Sequence, residues 1–246
     1  MYMKKKLYAM LAAAAFVTAG SVSASVVSSK GGLLSTLLNH PFEASVTATS
    51  QELFRGTRVG DSLVAASVST GWVIPGDGVL DVGLAFEDNS DADFETLFTA
   101  KATKAVVGYD VSVGFNYYSE GTNVVGDITS EIGLGVAKTV GPVDLSVTQF
   151  IAIDGDNDNY GEVSASLSRE VAGKVVDVKG TVGYVLDESE LTHAQVTLST
   201  DFNVDPFELK VTPFVTGVLA LGNDVGGIYN GAKDEVIFGV KLSKSF

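Results

Sequence analysis

From Phe42 to the carboxyl terminus at Phe246 the sequence repeats with a period of two, and this constrains the fold more than any other feature. In the last stretch Val236, Phe238, Val240, Leu242 and Phe246 share one parity, and Glu235, Gly239, Lys241, Ser243 and Ser245 take the other. Side chains that alternate in this way belong to strands with one apolar and one polar face. About twelve such segments follow one another, at 42–51, 61–73, 79–87, 95–103, 107–118, 128–139, 143–153, 160–170, 175–186, 191–203, 207–221 and 234–246. No helical repeat appears past residue 40.

The segment before the strands reads differently. Lys4, Lys5 and Lys6 precede an apolar run that begins at Leu7, and Val22 and Ala24 are small residues just before Ser25. Residues 1–24 are therefore expected to be a secretory signal peptide. Its apolar run is too short for a membrane helix of about 20 residues. Residues 25–41 form a lead-in in which Leu33, Leu34, Leu37 and Leu38 have helical spacing and Asn39, His40 and Pro41 stop it. It reads as a periplasmic lead-in, either a loosely held terminus or a short helix that lies in the periplasm or plugs the barrel mouth.

If the exported chain enters a membrane, it must do so as a closed sheet, because lipid offers no partner to an unpaired backbone group. The chain has no cysteine, so neither a disulfide framework nor a thiolate metal site is open to it. Its formal charge is −14, and loss of the three signal lysines takes it to −17. Nucleic acid is excluded as a partner by that charge.

The connections support a membrane address. Tight turns (Pro75-Gly76-Asp77-Gly78, Gly141-Pro142, Ala172-Gly173-Lys174 and Asp205-Pro206) alternate with longer or more acidic ones at 52–60, 88–94, 119–127, 154–159, 187–190 and 222–233. Outer-membrane barrels have short periplasmic turns and longer extracellular loops. A soluble sandwich has no reason to sort its loops by length. The expected architecture is all-β, a transmembrane antiparallel up-and-down barrel of about twelve strands over residues 42–246.

One parity, with Val64, Val68, Leu80, Val82, Leu84, Val111, Val113, Ile132, Leu134, Leu145, Val147, Val178, Val182, Val196, Leu198, Leu209 and Val211, is expected to meet lipid. Phe42, Trp72, Tyr109, Phe202 and Phe207 at one end, and Phe86, Tyr117 and Tyr184 at the other, would form the two aromatic girdles. The opposite parity carries Glu43, Asp81, Glu95, Lys101, Asp110, Glu131, Asp144, Asp177, Lys179, Asp201, Glu208, Lys210 and Lys241. Such side chains need water or partners, so the lumen is expected to be polar.

Two motifs carry resemblances. A signal-bearing chain that ends in an alternating strand and a terminal aromatic resembles bacterial outer-membrane barrels, in which the last aromatic is read by the barrel assembly machinery. This implies that role for Phe246. The run Glu52-Leu53-Phe54-Arg55-Gly56, followed by Asp61-Ser62-Leu63-Val64, resembles the Gcw_chp type of conserved outer-membrane barrel, whose early Tyr-Val-Phe-Arg-Gly motif has tyrosine where this chain has Glu52. That resemblance implies a barrel in the cell outer membrane; the family has no settled activity, so no catalytic residue is carried over from it. No cofactor is expected.

The expected function is passive diffusion of small, preferentially cationic solutes through a porin-like lumen lined by Arg55, Asp81, Lys101, Asp110, Glu131, Asp144, Lys179, Asp201 and Lys210. Membrane lipid and lipopolysaccharide are the expected surroundings. Arg55 would brace a loop or set a constriction at the outer mouth, with Gly56 making the bend. An occluded structural or adhesive barrel is the alternative, and a rim-located protease the third reading. The last rests on His193 near Asp187, Glu188 and Glu190. Asp154, Asp156 and Asp158 resemble the start of a calcium loop, but Asn159 and Ala165 stand where an EF-hand needs glycine and glutamate. That loop reads as a solvated acidic one.

Overall fold

The computed structural model describes residues 41–55, 57–60, 62–89, 95–119, 130–153, 159–186, 189–205, 207–222 and 233–246. The expected signal peptide, the lead-in to residue 40 and the acidic loop at 154–158 lie outside the described residues. Among the described residues there are fifteen strands: β1 (Phe42–Thr49), β2 (Glu52–Phe54), β3 (Thr57–Gly60), β4 (Leu63–Ile74), β5 (Gly78–Asn89), β6 (Glu95–Val106), β7 (Tyr109–Tyr118), β8 (Ser130–Val140), β9 (Val143–Ala152), β10 (Tyr160–Val171), β11 (Lys174–Val185), β12 (Glu190–Thr200), β13 (Phe202–Val204), β14 (Leu209–Ala220) and β15 (Glu235–Ser245).

Twelve of them form a closed antiparallel barrel, in the order β1, β4 to β12, β14 and β15, with β15 returning to β1. β13 continues the line of β12, and β2 and β3 make a separate hairpin. The last residue seals the cylinder. Phe246 and Phe42 exchange both backbone hydrogen bonds, at 2.9 and 3.2 Å, and their rings stack 4.8 Å apart. Among the described residues no helix is long and apolar enough to cross a membrane. Strands of 10 to 12 residues, typical of this barrel, suffice for an apolar band about 25 Å tall.

The register puts every residue of the expected lipid-facing set on the outside. Val113, Leu134, Val147 and Val196 are each about half exposed in the isolated chain, which a closed barrel tolerates only against lipid. The expected strand ends hold to within a few residues. Three local features were not anticipated: the β2–β3 hairpin, a bulge at Thr192 where Gly183 faces His193 and Tyr184 faces Leu191, and the break between β12 and β13. The break has a chemical cause, since Pro213 of β14 sits opposite it and has no N–H to give. The neighbouring Thr212 hydroxyl donates to Asp201 instead.

At the β6–β7 turn Val107 has φ 52° and Gly108 φ 78°. Two successive positive values make the hairpin turn that asparagine-glycine prefers, and a β-branched residue there is strained. Val107 is 93% exposed, so its side chain gains nothing in return. Val107→Asn should stabilise the barrel by about 1 kcal/mol, measured as a higher urea midpoint in vesicles. An unchanged or lower midpoint would mean the turn relaxes in the native protein.

Candidate functional site in the lumen

The outer half of the lumen is organised by a loop that crosses it. The β2–β3 hairpin enters between β1 and β4, and β9 stands six strands from β1 in either direction around the barrel. Yet Arg55, at the hairpin bend with φ 49°, makes its contacts on β8, β9 and β10. Its guanidinium pairs with the Glu131 carboxylate of β8. It also lies 5.3 Å from the Phe150 ring centroid and 4.5 Å from that of Tyr160. The hairpin therefore spans the mouth and docks on the far wall.

Glu131 is 1% exposed, and its oxygens are fully engaged. Oε2 takes the Arg55 guanidinium, while Oε1 accepts from Asn116 Nδ2 at 2.8 Å and from Tyr118 Oη at 2.9 Å. An ion pair taken out of water is tolerable only with this degree of satisfaction. Arg55 thus braces its loop, and it does so across the lumen. The bend falls at Arg55 itself; Gly56 lies outside the described residues.

Beside the latch the wall is filled by rings. Phe150 and Tyr160 stack at 6.1 Å, and Tyr160 lies parallel to His193 at 6.3 Å. Tyr160 Oη donates to Glu162 at 2.9 Å, and Thr192 Oγ1 bonds His193 Nδ1 at 2.9 Å. Tyr160 and His193 are the largest fully buried side chains of the described residues. They close over Gly183, where an added Cβ would stand 2.4 Å from His193 Cε1 and 2.5 Å from Tyr160 Oη. Gly183→Ala should therefore cost about 2 kcal/mol through overpacking; a wild-type urea midpoint would show that the rings can move aside.

In the periplasmic half the polar lumen side chains Asp81, Lys101, Asp110, Asp144 and Lys179 are exposed. Lys101 faces Asp81 across β5 and β6, and Lys179 lies two residues from Asp177 on one face of β11. Lys241 pairs with Glu43 at 3.0 Å and Lys210 with Asp201 at 3.4 Å. Asp201 sits where the chain steps from β12 to β13, with the Thr212 hydroxyl and Lys210 beside its carboxylate. Asp110, Asp144 and Glu170, by contrast, have only neutral register partners: Ala105 and Ala137, Thr139 and Ser166, and Val175. The lumen face of the sector from β7 to β10 is acidic, and the lumen lysines of the described strands lie elsewhere beside carboxylates. A recess of about 320 Å³ on the adjoining wall is lined by Ser166, Ser168, Asp177, Lys179, Thr197 and Ser199 among others.

The expected lumen residues are thus split by the fold. Arg55 and Glu131 are withdrawn into the latch, so Glu131 adds no net charge to the exposed part of the lumen. Asp201 and Lys210 are a rim pair. Asn116, Tyr118, Phe150 and Tyr160 were not expected at all, although Tyr118 and Tyr160 are aromatic at lumen parity near outer strand ends. His193 is buried under Tyr160, which removes it from any rim site reached from outside. Asp187 and Glu188 lie outside the described residues. Among the described residues no group of three or more His, Asp or Glu is placed to hold a metal ion.

No protein-family model matches the chain, and no curated protein matches it. Its fold is similar to that of an outer membrane channel from Pseudomonas putida F1, with 10% identity over 84% of this chain and 96% of that one and a TM-score of 0.53. The KdgM porin (8% identity, 84% of this chain and 99% of that one, TM-score 0.49) and the NanC porin (8%, 82% and 98%, 0.49) are more distant in shape. The closed barrel with its lipid-facing band is an outer-membrane β-barrel, and the protein is located in the cell outer membrane.

Proposed function

We propose that the protein is a non-enzymatic, porin-like channel for passive diffusion of small solutes, with a preference for cations. The observation that carries this reading is the exposed lumen of the periplasmic half, where Asp110, Asp144 and Glu170 have no basic register partner. A low-dielectric wall focuses the field of such an excess into the water it encloses. The likeness of Glu52–Gly56 to the Gcw_chp motif and the terminal Phe246 fit insertion by the barrel assembly machinery. Single-channel recording on refolded protein tests the reading: discrete conductance steps are expected.

A second reading has an observation in its favour. The Arg55 latch and the buried rings fill much of the outer half, which suits an occluded barrel serving as envelope structure or adhesive surface. A preparation that folds, shifts on unboiled gels and never conducts would establish that reading over the first.

A further inference from the structure

The barrel strands carry nine basic residues among those described, and the register divides them into two sets. Lys101, Lys179, Lys210 and Lys241 face the lumen. Lys104, Lys138, Arg169, Lys174 and Lys244 face outward, and all five lie within three residues of the periplasmic ends of their strands. No outward-facing base occupies the outer half of a described barrel strand.

Three of the five lie against the periplasmic aromatic girdle. Lys138 Nζ is 4.4 Å from the centroid of Tyr109, Lys174 Nζ 5.1 Å from Phe202, and Lys244 Nζ 5.3 Å from Phe246. Aromatic rings mark the depth of the interface, and a lysine stem laid along such a ring keeps its ammonium at headgroup level. In a chain of formal charge −14, a basic belt confined to one rim and one face is not a by-product of composition. Nor does it serve the lumen, from which the wall separates it.

We propose that this belt binds anionic phospholipid headgroups of the periplasmic leaflet, the phosphodiesters meeting lysine and arginine at the depth of the aromatic girdle, and at Lys138, Lys174 and Lys244 above a ring. The partner is a phospholipid of the inner leaflet because the outer ends of the strands offer lipopolysaccharide phosphates no outward-facing base. The inference does not depend on whether the lumen conducts.

The single tryptophan of the chain provides the test. Trp72 faces outward near the periplasmic end of β4, two strands from Lys104 on one side and two from Lys244 on the other. Protein refolded into phosphatidylcholine vesicles would be titrated with bromine-labelled phosphatidylglycerol or bromine-labelled phosphatidylcholine, and quenching of Trp72 read. One basic residue near the surface is worth about 1 kcal/mol to an anionic lipid, so phosphatidylglycerol should be favoured about fivefold. Lys104→Gln with Lys244→Gln should bring the ratio to about one, as should molar salt on the wild type. Lys101→Gln with Lys241→Gln, on the same strands but facing the lumen, should leave it unchanged. Equal quenching by the two lipids in the wild type would overturn the proposal, as would a preference that survives both the outward substitutions and high salt. If the outward variant does not fold, the salt titration of the wild type decides.

Discussion

Arg55→Ala should leave the barrel closed and open its mouth. The hairpin that bears Arg55 contributes no strand to the twelve-membered ladder, so the cylinder does not need it. What the substitution removes is the counter-charge of Glu131, whose side chain is 2% exposed. Breaking a buried pair from one side costs about 3–5 kcal/mol, because the orphaned charge stays behind. The barrel can escape part of this by releasing the hairpin and letting water reach Glu131. Two results follow. The urea midpoint, followed through Trp72, should fall by an amount equivalent to about 3 kcal/mol, and Arg55→Ala with Glu131→Gln should recover most of it. The unit conductance should rise in both variants, since neither holds the hairpin against the far wall. A folded Arg55→Ala protein with wild-type conductance would place the hairpin outside the ion path.

Across a salt gradient the reversal potential should have the sign of a cation-selective channel, and the acidic sector should set its size. A unit charge about 8 Å away in water contributes roughly 0.5 kcal/mol before screening. With a Debye length of about 10 Å at 0.1 M salt, removing one such charge lowers the cation-to-anion permeability ratio about twofold. Asp110→Asn with Asp144→Asn should thus lower it about fourfold in dilute salt. At 1 M, where the Debye length is about 3 Å, wild type and variant should nearly coincide. Removing Lys101 should act in the opposite direction, because it leaves Asp81 uncompensated. Anion selectivity in the wild type would refute the proposed assignment of the lumen charges.

The sequence by itself determined the barrel. A period of two fixes which face of each strand is apolar, and a one-residue slip would turn Val111 and Val113 into the lumen and Asp110 into lipid; no register error of that kind is tolerable. Strand number, outward set, girdles and closure at Phe246 were all legible for this reason. So was the presence of an arginine near the mouth. What only the tertiary structure decided is which lumen residues meet. Arg55 and Glu131 are 76 residues apart, and alternation says only that a residue faces inward, not what faces it from across the lumen. Hence Glu131, indistinguishable in the sequence from Asp110 or Asp144, became half of a buried latch while they remained in open water. Tyr118, Phe150 and Tyr160 escaped notice for the same physical reason: an aromatic on a polar face acquires meaning from the ring or cation brought against it by closure of the cylinder. The outward lysines show both contributions together. Parity and position put them at the periplasmic rim and set Lys244 two residues from Phe246 on one face, while the packing of Lys138 on Tyr109 and of Lys174 on Phe202 came from the strands that the sheet set side by side.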